Sequence, residues 1–217
     1  MAEGALSGCL WAFVLAMALG ASMVTGWLRG PSLAVGAVMA LLGGAGLGWL
    51  ARDRRRKTEA LLQTRPGERR FPTLLRPFTV PMSVYTRDGV TRIWRVHGVT
   101  PNGRAATAEV MVEVPTGVSL VAWGTDRPRP PAARDTSPVV DPVVPGCLVA
   151  SHRPEVVSGV LRHAATELAE AVPDDGHVAV YPFGLWWRVV GPVDAERLVD
   201  AERRLVLLAE ALRRGSP

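Results

Sequence analysis

The chain of 217 residues carries 25 Lys and Arg against 20 Asp and Glu, which gives a net charge of +5. Six of the basic residues and two of the acidic residues precede Thr58, so the rest of the chain holds 19 basic and 18 acidic residues. A general nucleic-acid surface needs a broad basic face that neutralises many phosphates, so this distribution argues against nucleic acid as a partner. The two cysteines, Cys9 and Cys147, are far apart and indicate no disulfide framework.

Two long uncharged stretches, 4–28 and 30–51, begin the chain. Each is long enough to cross the membrane hydrocarbon as a helix of about 20 residues. We expect transmembrane helices over about 5–28 and 31–51, joined by a very short turn into an antiparallel hairpin. A cleavable signal peptide is the alternative for the first stretch, but it requires a positively charged start, and the first charged residue is Glu3. Neither stretch contains an ionisable residue, which favours an anchor over a pore.

A basic patch follows the second stretch directly. Its members are Arg52, Arg54, Arg55, Arg56 and Lys57. Positively charged flanks stay on the cytoplasmic side, so both termini are predicted to be cytoplasmic. The patch is also expected to bind anionic headgroups, which makes the lipid bilayer the first predicted partner. Lys57 is the only lysine, and such arginine-rich usage is typical of a high-GC bacterial genome. The predicted location is therefore the bacterial inner (plasma) membrane, as a multi-pass protein.

The composition divides the chain into five predicted segments. They are the hairpin with its basic patch (1–57), a juxtamembrane helix and linker (58–77), antiparallel strands (78–123), a Pro-rich loop (124–146) and a C-terminal α+β part (147–217).

In the last three segments, runs rich in β-branched and aromatic residues are separated by short sequences typical of turns. Four predicted strands between 78 and 123 are separated by Asp-Gly, Asn-Gly and Thr-Gly pairs, which favours an antiparallel meander. After residue 146 we expect a strand, a helix opened by Pro154, a hairpin around 182–184 and a final helix capped by Asp194. The predicted fold class is an α+β membrane protein. It combines an N-terminal two-helix transmembrane hairpin with a soluble domain of antiparallel meander and strand-helix-hairpin-helix order.

Three stretches carry a resemblance: DPVVPGCLVASHRPEVVSGVL, HVAVYPFGLWWRVVGPVDAERL and VLLAEAL. In their order they resemble uncharacterised bacterial inner-membrane proteins that join an N-terminal two-helix transmembrane hairpin to a cytoplasmic α+β domain of unknown function. The resemblance implies a fold and a location, and it carries no catalytic residues to this chain.

No phosphate loop, dinucleotide-binding glycine motif, nucleophile elbow or HExxH motif occurs in the sequence. Cys147 with His152, His163 and His177 is too loosely spaced for a typical zinc site, and Cys147 is better interpreted as a small buried residue at a strand start. Nucleophilic catalysis by Cys147 would need a nearby histidine that spacing cannot show. The pair Asp174-Asp175 before a glycine is typical of a turn rather than of acid catalysis. We therefore predict no catalytic, cofactor or metal residues, and no enzyme.

Trp186 and Trp187 are neighbours in a predicted strand and must point to opposite faces, so one indole is expected to face outward or toward the membrane. It either contacts a partner or lipid headgroups or caps the core under the last helix, and the core position is the favoured interpretation. Taken together, the sequence predicts a membrane-anchored, non-enzymatic scaffold or interaction protein with an unidentified protein partner. A membrane-bound enzyme with an unrecognised site and an accessory subunit of a transporter remain the alternatives.

Overall fold

The computed structural model describes residues 31–62, 68–70, 80–141 and 143–215. The chain divides into two compact units, Met1–Arg56 and Lys57–Pro217. The first predicted transmembrane helix, about 5–28, lies outside the described residues.

The first described helix, α1, spans Pro31–Leu62 and runs without a break through the second uncharged stretch and the basic patch. Among the described residues, no helix is both long enough and apolar enough to cross a membrane. The predicted transmembrane hairpin was therefore wrong, and so were the multi-pass location in the bacterial inner membrane and the cytoplasmic termini derived from it. The prediction counted uncharged residues. Five of those in α1 are glycines, which add helix length but almost no apolar surface.

Nine strands form one antiparallel sheet in the order β1-β2-β3-β4-β9-β8-β5-β7-β6. Their bounds are β1 Glu68–Arg70, β2 Met82–Arg87, β3 Val90–Val99, β4 Ala105–Glu113, β5 Leu120–Gly124, β6 Ser137–Val139, β7 Cys147–Ser151, β8 Gly176–Tyr181 and β9 Gly184–Val193. The strands before and after the Pro-rich segment thus belong to a single sheet.

The predicted meander is correct for β2, β3 and β4 but wrong for β5. Strand β4 pairs with β9, and β5 pairs with β8 and β7. Strand β9 has ten residues and faces β4 in register from Val112↔Leu185 to Ala108↔Val189. This match places buried apolar side chains of both strands side by side, and it forms between segments more than 70 residues apart.

Three helices, α2 (Pro154–Leu161), α3 (Ala165–Ala171) and α4 (Ala195–Gly215), contribute to the same apolar cluster as the inward side chains of the sheet. Helix α4 buries leucines at intervals of three, four and seven residues, the spacing that places side chains on one helix face. They are Leu198, Leu205, Leu208 and Leu212. Asp194 caps α4 by accepting a hydrogen bond of 3.0 Å from the backbone N–H of Arg197. The end of α1 joins this cluster through Leu61 and Leu62.

The opposite face of the sheet is called the open face here. Because strand side chains alternate, it carries the residues between the buried ones, such as Arg95, Glu109 and Trp186. At one end, the 3₁₀ helix Pro131–Ala133 covers it: Ala133 packs into a small cluster with Trp123 and neighbouring strand residues. None of the described α-helices contributes to that second cluster.

Candidate functional site

A row of polar and aromatic residues crosses five adjacent strands on the open face. The register pairs Arg95 with Glu109, Glu109 with Arg188, Arg188 with His177, and His177 with Trp123. Directly opposed residues of neighbouring strands project from the same face, so these five side chains lie next to one another. We call them the polar row.

The carboxylate of Glu109 lies between two arginines. Its Oε2 is 3.7 Å from Nη1 of Arg95, and its Oε1 is 3.6 Å from Nε of Arg188. These separations are too long for hydrogen bonds, so the guanidinium groups keep donors for other acceptors. Nε of Arg95 is buried and has no hydrogen-bond partner among the described residues. The centre of the open face therefore carries one more positive than negative charge, together with unused donors.

An aromatic group adjoins the polar row. The guanidinium of Arg95 lies 5.7 Å from the centre of the Trp186 ring, within cation–π range. Tyr181 meets Trp186 edge to face at 5.9 Å, and Phe183 stacks on Tyr181 at 5.7 Å. Phe183 is exposed and Trp186 is half-buried. Tryptophan, tyrosine and arginine dominate binding energy at protein interfaces, so this combination suits partner recognition.

The two tryptophans of β9 face opposite sides, as their adjacent positions require. Trp187 is buried on the helix side, where the guanidinium of Arg197 lies 5.9 Å from its ring centre. Trp186 belongs to the open face. The two indoles point to opposite faces as predicted, but Trp186 does not pack under the last helix, which was the favoured interpretation for the outward indole.

Two histidines on the open face have a pKa below the ordinary histidine value. Burial lowers the pKa of His177, and the nearby Arg188 lowers it further while Glu109 opposes the shift. Burial also lowers the pKa of His97; Glu109 opposes this, and Arg188 and Arg95 add to it. At neutral pH the positive charge of this face therefore comes from its arginines.

The residues weighed as a metal or thiol site do not form one group. Cys147 lies at the start of β7, and burial raises the pKa of its thiol. His152 and His163 are exposed, and His177 lies in β8. In the described part of the chain, no three His, Cys, Asp or Glu side chains are close enough to hold a metal ion.

The acidic pair lies in the turn before β8. Asp174 is exposed, and the carboxylate of Asp175 binds both terminal nitrogens of Arg197, at 2.6 and 3.2 Å. The ion pair joins the turn to the first turn of α4.

A buried ionic cluster on the helix side of the sheet was not predicted from the sequence. Glu202 of α4 accepts hydrogen bonds from Arg92 Nη1 at 2.8 Å, from Trp94 Nε1 at 2.9 Å and from the Tyr85 hydroxyl. Glu202 and Arg92 are only 2% and 6% exposed. The sequence feature that could have indicated it is Glu202, a charged residue on the face of α4 that carries the buried leucines. The cluster fastens α4 to β2 and β3 and is closed to ligands.

The basic patch lies in α1. Arg52, Arg54, Arg55 and Arg56 are exposed, and Lys57 is half-buried. Binding of anionic headgroups by these residues stays a prediction.

Comparison of the sequence with protein-family models and with curated proteins finds no match. The resemblance stated above therefore stays a prediction. Among solved structures, the chain is similar to the crystal structure of the mycobacterial trehalose monomycolate transport factor A. The TM-score is 0.55 and the identity 12%, with 75% of this chain and 95% of that chain covered. At this identity the similarity concerns the fold alone.

Proposed function

We propose that this protein is a non-enzymatic interaction protein whose open face binds a protein partner. The observation that carries the proposal is the polar row with its adjoining aromatic group. Two arginines with unused donors flank a single glutamate, beside a half-buried tryptophan. Net positive charge and exposed aromatic surface favour a partner segment that presents carboxylates next to apolar side chains.

The structural similarity is compatible with this proposal. The similar structure is, by its name, a transport factor for trehalose monomycolate. From the shared fold we extend to this chain only the idea of an accessory factor, one that supports a process carried out by other proteins.

Site-specific photocrosslinking tests where a partner binds. A photoreactive phenylalanine analogue at Val190 samples the open face, because Val190 pairs with Thr107 there and is 65% exposed. The same analogue at Leu207, an exposed position of α4, is the matched control. We expect a discrete crosslinked protein from position 190 and none from position 207. Equal products from both positions would count against a specific surface.

Binding measurements with the purified partner then test whether Trp186 and Arg188 contribute to the affinity and the association rate. Trp186→Ala is expected to weaken binding about 30-fold, the effect of removing a hot-spot tryptophan worth roughly 2 kcal/mol. Arg188→Gln is expected mainly to slow association and to reduce its salt dependence. Leu207→Ala should bind like the unaltered protein. An unchanged dissociation constant for Trp186→Ala, in a protein with unaltered thermal unfolding, would refute the proposed surface.

A further inference from the structure

A second candidate site lies at the edge of the sheet formed by β6 and β7, beyond Trp123 at the end of the polar row. A cavity of about 350 Å³ is lined there by residues of both strands, by Val140, Val143 and Val144, and by Trp123 and Arg129. That volume lies within the range of small-molecule sites in proteins. Most of its wall is aliphatic, with Val139, Val144, Leu148 and Val149 among the lining residues.

Large apolar side chains are exposed around this cavity. Val140 and Val143 are 78% and 80% exposed, and Leu148 is 45% exposed. All three also line the cavity. A contiguous group of exposed aliphatic side chains usually marks a binding surface, whereas single exposed residues need no explanation.

One fixed cation lines the same cavity. Nε of Arg129 donates a hydrogen bond of 2.9 Å to the carbonyl of Ala133, and Nη2 donates to the carbonyl and hydroxyl oxygens of Thr136. Nη1 makes no hydrogen bond to the described residues, and no described carboxylate lies within ion-pair distance of Arg129. The guanidinium is therefore held in place by backbone oxygens while its charge has no counterpart in that part of the chain.

A buried donor without a partner also lines the cavity. Trp123 is 6% exposed, and its indole Nε1 makes no hydrogen bond within the part of the chain that the structure describes. A buried indole N–H normally has an acceptor, and an unmade hydrogen bond here costs stability. A ligand oxygen could satisfy this donor with a small adjustment of the indole.

We propose that this cavity binds a fatty acid, with the carboxylate on Arg129 and the hydrocarbon chain among the valines and Leu148. An anionic head and an aliphatic body match the single unpaired cation and the apolar wall. At roughly 30 Å³ for a water-sized group, the volume accommodates a chain of about ten carbons. The cavity shares Trp123 with the polar row but is not lined by Arg95, Trp186 or Arg188, on which the open-face proposal depends, so either proposal can fail alone.

The first test titrates the full chain with decanoate and with decanol, by calorimetry and by ¹⁵N spectra of the indole N–H groups. We expect one decanoate to bind per chain, with saturation below the micelle concentration. Binding should shift the indole N–H signal of Trp123, which is assigned as the signal that disappears in Trp123→Phe. Decanol should bind at least tenfold more weakly, because it lacks the charge-assisted contact to Arg129. Absence of saturable binding, or equal binding of both compounds, would overturn the proposal.

A matched pair of variants tests the place of binding. Leu148→Glu introduces a negative charge into the cavity wall, where it repels a bound carboxylate, and Val156→Glu does the same at a similarly exposed position of α2 outside it. Decanoate binding should be lost in the first variant and retained in the second. Arg129→Gln should weaken decanoate at least tenfold and leave decanol unchanged. Decanoate binding that survives Leu148→Glu would overturn the assignment.

Discussion

Removal of the Glu202 carboxylate tests how strongly the buried ionic cluster holds α4 on the sheet. In Glu202→Ala, Arg92 loses its acceptor at 2.8 Å and Trp94 loses its acceptor at 2.9 Å. The remaining carboxylate near Arg92 is that of the exposed Asp88, 3.8 Å from Nη2. A buried guanidinium would be left with a distant, solvent-screened counter-charge.

The expected loss follows from this geometry. Breaking a buried ion pair by removing one partner costs about 3–5 kcal/mol, because the other charge stays buried. A domain of this size is stable by about 5–15 kcal/mol, so the loss is a large fraction of the total. Replacing both charges, in Arg92→Met with Glu202→Leu, should recover part of it, because no uncompensated charge remains while Trp94 and Tyr85 still lose the carboxylate.

Urea unfolding followed by circular dichroism and tryptophan fluorescence measures these changes, with the unfolding slope as a check of two-state behaviour. Glu210→Ala, at an exposed position of the same helix, is the control and should leave the unfolding midpoint unchanged. A loss below about 1 kcal/mol for Glu202→Ala would refute the reasoning, since a loss that small is typical of a solvated ion pair. A double variant less stable than either single variant would refute it as well.

Three further predictions concern single side chains. A Cβ on Gly176 would lie 1.9 Å from the carbonyl oxygen of Arg188, so Gly176→Ala should lower the free energy of unfolding by about 3 kcal/mol or more. The control is Gly159→Ala in α2, where a Cβ meets open space and should raise the free energy of unfolding by roughly 0.5–1 kcal/mol. Thermal unfolding measures both variants. Folding lowers the pKa of His177, so the unfolded state binds protons more readily and stability falls as the pH drops below about 6.5. His177→Gln should therefore lose less stability than the unaltered protein between pH 7 and pH 5, in urea titrations at each pH; an equal loss would contradict this. Burial raises the pKa of Cys147, so iodoacetamide should alkylate it more slowly at pH 8 than it alkylates a free cysteine. The alkylation rate of Cys147 should continue to increase at pH values above the ordinary thiol pKa, where the rate for a free cysteine no longer increases.

Local patterns were enough to predict several single elements. The alternation around Glu109 and Val110 predicts β4, and Asp194 predicts the start of α4 through its capping side chain. The adjacent tryptophans of β9 predict their opposite orientations because strand periodicity is strictly local. These inferences depend on neighbours within a few residues and need no knowledge of strand order.

The polar row could not be predicted in this way. It exists because β9 pairs with β4 and β8, which aligns Glu109 with Arg188 and then with His177. A shift of the β4–β9 register by one residue would bring Trp187 instead of Arg188 opposite Glu109 and move the arginine to the other face. The register is set by apolar side chains on the helix side, such as Val110 against Trp187. The packing of the core therefore determines the chemistry of the open face.

The buried ionic cluster around Glu202 and the polar row around Glu109 have different roles in the protein. On the helix side, the carboxylate of Glu202 makes short hydrogen bonds and is closed to solvent, so these bonds stabilise the packing of α4 on the sheet. On the open face, Glu109 has both arginines at 3.6–3.7 Å, and the guanidinium groups keep unused donors. A substitution in the first group should therefore change stability, and one at Arg188 should change binding with little effect on unfolding. If Arg188→Gln destabilised the protein as much as Glu202→Ala, the row would be part of the folding core, and the interaction surface would have to be sought elsewhere.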